Sequence, residues 1–456
     1  MMNPLLNPLT LCKVINSYMT DANRIWRCSR ERLERYRDKA FRRVLKRALS
    51  TPMYEEKYRN IDTSGIKGIK DKEMLPVVTK DDFRRAFPDG LIPRGTKKER
   101  YTMVSTSGST GKPVSIFIEP IYMYKSLIFY TRALREYGLN WRKDRLAFIV
   151  DLSPGSGEDE FFGRSAIPSI DRLMPLRNIR VYHVGDDPEK IMEDLNRFKP
   201  KLIGGYPDIL KILAILKEKG KGDNVKPEYI ASSGAILDRY SRERLEETFG
   251  ARVFETYGAT ECSPMAIECK EGNMHIQSDV VDIEFWNGKG EKASPGELAE
   301  IVITSLIEGG TPVIRYDGVK DLLVPSDIEC KCGMNTPVIE RIEGRKADAI
   351  ILPDGRMIPP LSITGIIPYV MSEEGSKIVE QFQIVQEKID KVNISVVFKE
   401  CEDSEKERMK IKIGDAFSEV LKGVDIEVRE VEEIKTNRRD GLATPPPVVV
   451  SKVRKV

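Results

Sequence analysis

Residues 105–113 read STSGSTGKP, a run of small residues that ends in a lysine and a proline. Small side chains leave backbone N–H groups uncovered, so that these groups can converge on phosphate oxygens, and Lys112 adds a positive charge. The flanking segments 101–106 and 114–119 alternate in the manner of strands. The sequence therefore predicts a phosphate-binding loop at the tip of a β-hairpin, with a nucleoside triphosphate as its natural ligand.

This loop differs from the P-loop, whose pattern is GxxxxGK followed by serine or threonine. Thr106 stands where that pattern has its first glycine, and Pro113 stands where it has the hydroxyl that binds magnesium. Proline also lacks the N–H that would bind a phosphate at the start of a following helix. The sequence thus predicts phosphate binding outside the P-loop fold.

The bulk composition limits the class of protein. A chain of 456 residues is long enough for two or three domains with a substantial core. Charged residues make up 32% of the chain but nearly cancel, to a net charge of +3, which argues against a dedicated nucleic-acid or membrane-surface protein. No apolar run approaches the roughly 18 residues that span a bilayer, and the N-terminus does not resemble a signal peptide. We expect a cytoplasmic protein.

Alternating strand and helix patterns predict the fold class. Apolar runs at 146–150, 201–204 and 229–232 read as strands, and residues 208–217 read as a helix between two of them. Residues 30–50 read as a basic amphipathic helix that docks by its apolar stripe. The alternation predicts an α/β fold with layered sheets and helices.

The pattern of predicted strands and helices changes after about residue 345. Two strand patterns, a helix pattern at 404–421 and a further strand follow within a little over 100 residues, which predicts a small α+β domain. We therefore expect a large N-terminal domain over residues 1–346 and a small C-terminal domain over residues 347–456.

Three further motifs follow the loop. Residues 255–261 read ETYGATE, residues 315–321 read RYDGVKD and residues 343–348 read EGRKAD. In the first, the side chains can stack on a base, bond a phosphate oxygen and bind magnesium, while the glycine lets the backbone approach. In the second, Asp321 can accept the protons of two ribose hydroxyls. Each motif is weak evidence by itself, and their order along the chain is the stronger signal.

In this order the four motifs resemble the adenylate-forming superfamily, the acyl-coenzyme A synthetases and their kin, and most closely its phenylacetate–coenzyme A ligase-like branch. The resemblance runs from about Leu33 to the C-terminus and is strongest at 268–276, 296–306, 315–321 and 341–348. It implies a large N-terminal adenylation domain that binds ATP and the acid, and a small mobile C-terminal lid that rotates between two reaction steps, with Asp348 at the pivot.

The resemblance also implies which residues bind ATP. It assigns the β- and γ-phosphates to the loop residues Thr106, Ser107, Gly108, Ser109, Thr110, Gly111 and Lys112. It places Ser232, Ser233, Gly234 and Ala235 beside adenine, with Tyr257 packed on the base and Gly258 next to it. It gives the α-phosphate to Thr260, magnesium to Glu261 and the ribose hydroxyls to Asp321, with Arg345 nearby.

The implied chemistry has two steps. A substrate carboxylate attacks the α-phosphorus of ATP and gives an acyl-adenylate and pyrophosphate; magnesium and basic groups offset the repulsion between the two anions. A thiol, usually that of coenzyme A, then attacks the activated carbonyl and releases AMP. We expect an aryl or similarly compact acid, for which Tyr206, Pro207 and Ala259 would line part of the pocket. The expected partners are thus the acid, ATP and coenzyme A, and a homodimer is compatible with the resemblance.

Two segments of the small domain depart from the family pattern. Relatives carry a Gly-Lys near the end of the chain; Lys452 is our choice for that lysine, with Ser451 in place of the glycine, and Lys435 and Lys455 are the alternatives. After the pivot, residues 351–363 keep the turn and proline of the family without its acidic helix start. The adenylation and acceptor steps can therefore differ from those of relatives.

Four soft ligands suggest a structural zinc site. Cys269 precedes His275 by a short interval, and Cys330 and Cys332 form a second pair in a separate segment. A Cys3His set suits a closed tetrahedral zinc, and some members of this branch carry such a site. Cys262 is expected to line a pocket, and His183 is expected to have a structural role.

Three alternatives remain. Some members of the superfamily adenylylate a hydroxyl of a deazaflavin cofactor and use no thiol, and others belong to polysaccharide gene clusters with uncertain substrates. A third reading is a catalytically silent, zinc-stabilised binding protein. The presence of Lys112, Thr260, Glu261 and Asp321 argues against the silent protein.

Overall fold

The computed structural model describes residues 3–105, 114–434, 437–439, 442–444 and 448–453, with 437–439 and 442–444 described by their backbone alone. The chain divides into two compact units. The first comprises Met1–Gly234, Thr248–Val319 and Leu323–Arg341, and the second comprises Ala235–Glu247, Lys320–Leu322 and Ile342–Val456. The domain boundary at residues 346 and 347 stays a prediction.

The α-helices of the described residues are, in chain order, α1 (Pro8–Thr20), α2 (Arg24–Arg27), α3 (Arg30–Ala48), α4 (Pro52–Lys57), α5 (Lys80–Ala86), α6 (Pro120–Glu136), α7 (Ala166–Asp171), α8 (Pro188–Phe198), α9 (Pro207–Glu218), α10 (Arg239–Phe249), α11 (Pro360–Thr364), α12 (Ile366–Glu373) and α13 (Asp403–Val420).

The strands of the described residues are β1 (Thr102–Ser105), β2 (Ser115–Ile118), β3 (Leu146–Val150), β4 (Ile179–His183), β5 (Leu202–Gly205), β6 (Tyr229–Ser233), β7 (Arg252–Ala259), β8 (Ser263–Glu268), β9 (Met274–Ile276), β10 (Val281–Trp286), β11 (Ala299–Ser305), β12 (Asp321–Ser326), β13 (Val338–Arg345), β14 (Ile350–Ile351), β15 (Met357–Ile358), β16 (Val379–Lys388), β17 (Lys391–Phe398), β18 (Asp425–Glu430), β19 (Asn437–Arg439), β20 (Leu442–Thr444) and β21 (Val449–Ser451).

A large sheet organises the fold, with the strand order β10-β11-β12-β13-β9-β8-β7-β6-β5-β3-β4. Its strands β4, β3, β5, β6 and β7 are parallel neighbours, and helices connect them along the chain. Strands β3, β5 and β6 coincide with the predicted strands, and α9 coincides with the predicted helix. The α/β fold class is therefore confirmed.

The predicted basic helix is α3, which begins after Ser29, whose side chain accepts a hydrogen bond from the N–H of Arg32 at 3.4 Å. Serine is a favoured residue at this position because its oxygen satisfies a free N–H of the first turn. The helix buries the apolar side chains Leu33, Phe41 and Val44. It thus docks by its apolar stripe, as its sequence pattern predicts.

The predicted hairpin around the phosphate-binding loop is formed by β1 and β2, which pair in antiparallel register from Thr102 opposite Ile118 to Ser105 opposite Ser115. The hydroxyls of Ser105 and Ser115 lie 2.7 Å apart and hydrogen-bond. The loop residues 106–113 lie outside the described residues. The hairpin that carries them is confirmed.

The second unit contains a four-stranded sheet in the order β18-β17-β16-β21, together with α13. The strand, strand, helix and strand of the prediction are β16, β17, α13 and β18. Strand β21 is a finding of the structure: it joins β16 in parallel, with Ile384 opposite Val449. Three residues are too few to give a strand pattern in the sequence.

No helix among the described residues is both long enough and apolar enough to cross a lipid bilayer.

Candidate active site and metal centre

The ETYGATE motif spans the end of β7 and the turn that leads into β8. Glu261 lies in this turn with only 5% of its surface exposed, and its Oε1 accepts a hydrogen bond from the Tyr316 hydroxyl at 3.1 Å. Tyr316 is fully buried and stacks on Phe83, with 4.8 Å between ring centroids. Burial and the neighbouring Glu261 raise the pKa of Tyr316, so the phenol keeps its proton and acts as the donor.

The RYDGVKD motif thus positions part of the ETYGATE motif. Arg315, which precedes the tyrosine, forms a two-point ion pair with Glu284, with both N···O distances at 3.0 Å. Gly318 lies so close to the Tyr316 ring that an added Cβ would come within 2.1 Å of it. Sequence reasoning missed Tyr316 as a positioning residue; its place inside a motif was the available signal.

The remaining residues of ETYGATE lie close to other parts of the first unit. Tyr257 is buried on β7, and Gly258 has no room for a side chain because an added Cβ would lie 2.8 Å from the carbonyl oxygen of Ser263. Thr260 is half-buried, and its methyl lies 3.9 Å from the Cβ position of Gly157. The motif is therefore a tightly packed turn at the end of a sheet strand.

The predicted adenine loop follows β6. The hydroxyl of Ser233 donates to the carbonyl oxygen of Thr256 on β7 at 3.0 Å. Ser232 is 1% exposed, and among the described residues its hydroxyl has no hydrogen-bond partner. Gly234 has φ of +80°, and a Cβ there would come within 2.3 Å of the Tyr206 ring. Both its backbone conformation and this contact require glycine.

Four predicted site residues belong to the second unit: Ala235, Asp321, Arg345 and Lys452. Asp321 begins β12 and is half-buried, whereas Arg345 ends β13 and is exposed. Thr106, Ser107, Gly108, Ser109, Thr110, Gly111 and Lys112 lie outside the described residues, as do Lys435 and Lys455.

Lys452 follows β21 and is held by two contacts. Its Nζ pairs with both carboxylate oxygens of Glu387 at 2.7 Å, and its N–H donates to the carbonyl oxygen of Gln386 at 2.9 Å. The hydroxyl of Ser451, the residue that replaces the family glycine, donates to the Gln386 side chain at 2.8 Å. The serine is thus accommodated within the sheet of the second unit.

Cys269, His275, Cys330 and Cys332 form a compact cluster in the first unit, and their ligand atoms all lie within 4.8 Å of one another. The Sγ atoms of Cys269 and Cys330 are 3.6 Å apart, and Sγ of Cys332 lies 3.2 Å from Nε2 of His275. Tetrahedral zinc with Zn–S bonds of about 2.3 Å places two sulfurs ~3.8 Å apart. The cluster therefore has the donor set and the size of a structural zinc site.

The surroundings of the cluster support ligation. Nδ1 of His275 lies 3.3 Å from both the carbonyl and hydroxyl oxygens of Thr336, so the other ring nitrogen, Nε2, points into the cluster. Burial lowers the pKa of His275, which favours the neutral imidazole that metals bind. The side-chain amide of Asn273 donates to Sγ of Cys330 at 3.2 Å. Sequence reasoning had not identified the roles of Thr336 and Asn273.

The structural role of His183 and the pocket position of Cys262 stay predictions. Nδ1 of His183 accepts a hydrogen bond from the N–H of Leu152 at 3.0 Å. Cys262 is fully buried, and burial raises the pKa of its thiol.

Residues 177–289 match the family model described as AMP-binding enzyme. Protein CapK of Staphylococcus aureus is 23% identical over 367 residues, which cover 80% of this chain and 78% of CapK. The phenylacetate–coenzyme A ligase of Thermus thermophilus is 24% identical over 343 residues, which cover 69% of this chain and 72% of that ligase.

Among solved structures, 2-hydroxyisobutyryl-CoA ligase in its postadenylation state, in complex with 2-HIB-AMP, superposes with a TM-score of 0.77. The match covers 92% of this chain and 90% of that one at 19% sequence identity, and it establishes the shared fold.

The AMP-binding match spans β4 to β10 and includes ETYGATE, and the aligned relatives extend the likeness over most of the chain. The superposition shows that the two proteins share a fold. Their sequence identity is too low to show a shared function. These comparisons support an adenylate-forming enzyme that is similar to the phenylacetate–coenzyme A ligases and of the AMP-forming ligase class.

Proposed function

We propose that this protein activates a carboxylic acid with ATP, forms an acyl-adenylate and pyrophosphate, and passes the acyl group to the thiol of coenzyme A with release of AMP. The observation that carries the proposal is the buried Glu261 carboxylate, which a protonated Tyr316 hydroxyl holds next to Thr260. Carboxylate oxygens are the ligands that Mg²⁺ prefers, so Glu261 fits the magnesium role.

Each step of the proposal draws on particular side chains. Magnesium at Glu261 would reduce the repulsion between the incoming carboxylate and the phosphates and stabilise the charge that develops on them. The hydroxyl of Thr260, which lies in the same turn, would bind the α-phosphate that the acid attacks. Tyr257 would pack on the base. The family resemblance gives the ribose hydroxyls to Asp321, with Arg345 nearby, and the adenylation lysine to Lys452.

The acid substrate follows from the same proposal. The relatives named phenylacetate–coenzyme A ligases act on an aryl acid, and we propose an aryl or similarly compact acid for this chain. Tyr206, whose ring lies against Gly234 at the end of β6, would form part of the acid pocket.

The test of this function is ATP–pyrophosphate exchange with magnesium across a panel of carboxylic acids, repeated as AMP release with coenzyme A. We expect exchange that depends on the acid, and AMP release that depends on coenzyme A. If no acid supports exchange, the proposal is wrong; pyrophosphate release with a deazaflavin then tests transfer of the nucleotide to a hydroxyl. If neither reaction occurs, the silent zinc-stabilised protein remains.

We also propose that the cluster of Cys269, His275, Cys330 and Cys332 binds one structural zinc ion. Cys330 and Cys332 pack against a buried core that contains Cys269, so a metal there would tie the loop after β12 to the end of β8. We expect about one zinc per chain by elemental analysis, and a fall in melting temperature when a strong chelator removes it.

A matched variant sharpens the zinc test. Cys330→Ser should lower the zinc content and the melting temperature together, whereas Cys401→Ser, in the second unit and outside the cluster, should change neither. Protein that is washed and refolded in the presence of zinc but retains none would contradict the proposal.

A further inference from the structure

The parallel strands of the large sheet contain a point where the direction of winding reverses. Strand β4 lies on one side of β3, and β5, the next strand of the chain, lies on the other side. In open α/β sheets, ligands bind in the crevice outside the carboxyl ends of the two strands at such a point. Here these ends are followed by Asp151 after β3 and by Tyr206 after β5.

The carboxyl group of Glu158 links both strand ends. Its Oε2 accepts a hydrogen bond from the N–H of Asp151 at 2.6 Å and another from the hydroxyl of Tyr206 at 2.7 Å. Its Oε1 makes no hydrogen bond to any of the residues that the structure describes, and the side chain is only partly buried. One oxygen thus fixes the group in place and the other is left to accept a donor.

The segment that carries Glu158 lies beside the proposed reaction centre. A Cβ added at Gly157 would lie 3.9 Å from the methyl of Thr260, the residue proposed for the α-phosphate. The carbonyl oxygen of Gly155 accepts the N–H of Ser105 at 3.2 Å, immediately before the predicted phosphate-binding loop. An acid that attacks the α-phosphorus would therefore bring its acyl part close to Glu158.

The energetics of Glu158 argue against a purely structural role. Within the described part of the chain, no lysine or arginine forms an ion pair with it, and burial raises its pKa. A partly buried carboxyl without a cation is costly, and such groups are enriched where a ligand supplies the missing partner. A glutamine would accept the same two hydrogen bonds without a charge, so the fold alone does not require an acid here.

We propose that Glu158 is a specificity-determining residue, whose Oε1 selects carboxylic acids that carry a hydrogen-bond donor, a hydroxyl or an ammonium group, on the acyl part. This inference rests on the proposed function and narrows its substrate class. An acid without a donor would leave Oε1 desolvated and unpaired, and sites built to bond a donor discriminate strongly against such analogues.

The test compares acids of nearly equal size that differ in one group, by kcat/KM in ATP–pyrophosphate exchange. One set is 2-methylpropanoate, its 2-hydroxy and 2-amino derivatives and pivalate; the other is phenylacetate, mandelate, phenylglycine and 4-hydroxyphenylacetate. We expect wild-type protein to prefer at least one donor-bearing acid over its matched analogue by about 10-fold or more. Comparison of the hydroxy acids with the amino acids shows whether the preferred donor is a hydroxyl or an ammonium group.

Two variants assign the preference to Glu158. Glu158→Leu should bring the ratio of donor-bearing to plain acid close to one while exchange with the plain acid persists. Glu158→Gln, which keeps the size of the side chain, should retain exchange and lose any preference for the amino acid, because its charge is gone. Glu160→Gln is the matched control: Glu160 lies two residues away and is buried, its Oε2 accepts a hydrogen bond from the Ser165 hydroxyl, and the ratio should stay as in wild type.

The outcomes distinguish the role of Glu158 from the proposed function on which it rests. Exchange with several acids but no preference for a donor, or an unchanged ratio in Glu158→Leu, overturns the role of Glu158 and leaves the proposed function intact. No exchange with any acid overturns both. A preference that disappears in Glu158→Leu and survives in Glu160→Gln supports the inference.

Discussion

Glu261→Gln is expected to reduce acid-dependent ATP–pyrophosphate exchange by roughly 100-fold or more, which is the usual scale for removing one group that stabilises charge in a transition state. The substitution keeps the size of the side chain and its ability to accept the Tyr316 hydroxyl, so the turn should keep its shape. What it removes is the negative charge that would hold magnesium against the phosphates.

The magnesium dependence is the measurement that distinguishes this reason from a folding defect. In Glu261→Gln, the magnesium concentration that gives half-maximal exchange should rise, and the melting temperature should stay close to that of wild type. Tyr316→Phe, which removes only the positioning hydroxyl, should give a smaller loss in the same direction.

Glu268→Gln provides the matched control, because Glu268 and Glu261 are equally buried at 5% exposure. Glu268 lies on β8, where its Oε2 accepts the N–H of Glu255 at 2.8 Å. We expect its variant to retain the wild-type magnesium midpoint. Unchanged exchange in Glu261→Gln would exclude the role proposed for this carboxylate.

The large sheet could be predicted in part because its strands carry their own local signal. Strands β3 and β6 are short apolar runs, and the helix between β5 and β6 repeats apolar residues on one face. Antiparallel pairing among β8, β9 and β13 has no such signal, because β9 is three residues long and is placed by partners far along the chain. The positions of those strands are therefore set by tertiary pairing and not by local sequence.

In the candidate site, too, some residues could be predicted from local sequence patterns and others could not. The cluster of Cys269, His275, Cys330 and Cys332 was predictable because cysteine is rare in this chain and the four residues come in pairs with short spacing. Tyr316 and Glu158 were not, because tyrosine and glutamate are common and their roles depend on contacts across the fold. Tyr316 reaches the Glu261 carboxylate in the turn between β7 and β8, and Glu158 links the ends of β3 and β5. Only three-dimensional proximity separates these residues from ordinary ones.

Asp279→Asn is expected to destabilise the first unit by about 3–5 kcal/mol, the scale for removing one partner of a buried ion pair. The Asp279 carboxylate accepts both terminal nitrogens of Arg132, at 2.8 and 2.7 Å, and a further hydrogen bond from Arg24 at 3.1 Å. Arg132 is fully buried and Asp279 is 1% exposed. The neutral amide would leave the charge of a buried guanidinium without compensation.

The measurement is chemical or thermal unfolding of wild type and variant at neutral pH. Glu329→Gln serves as the control because Glu329 pairs with Arg30 at the surface, where both side chains are largely exposed. Exposed pairs of this kind contribute little, so this variant should unfold close to wild type. An Asp279→Asn transition that coincides with the control would contradict the prediction.

The pH dependence gives an independent test of the same pair. Burial alone would raise the pKa of Asp279, but the charge and hydrogen bonds of Arg132, followed by those of Arg24, outweigh burial and hold that pKa below its usual range. A carboxyl with a lowered folded-state pKa contributes its stability above the unfolded pKa of about 3.9 and loses it as the pH falls through the folded value. The difference in unfolding free energy between wild type and Asp279→Asn should therefore be constant from neutral pH down to about pH 5 and narrow below pH 4. A difference that instead grew on acidification would mean that the carboxylate is not the group that neutralises Arg132.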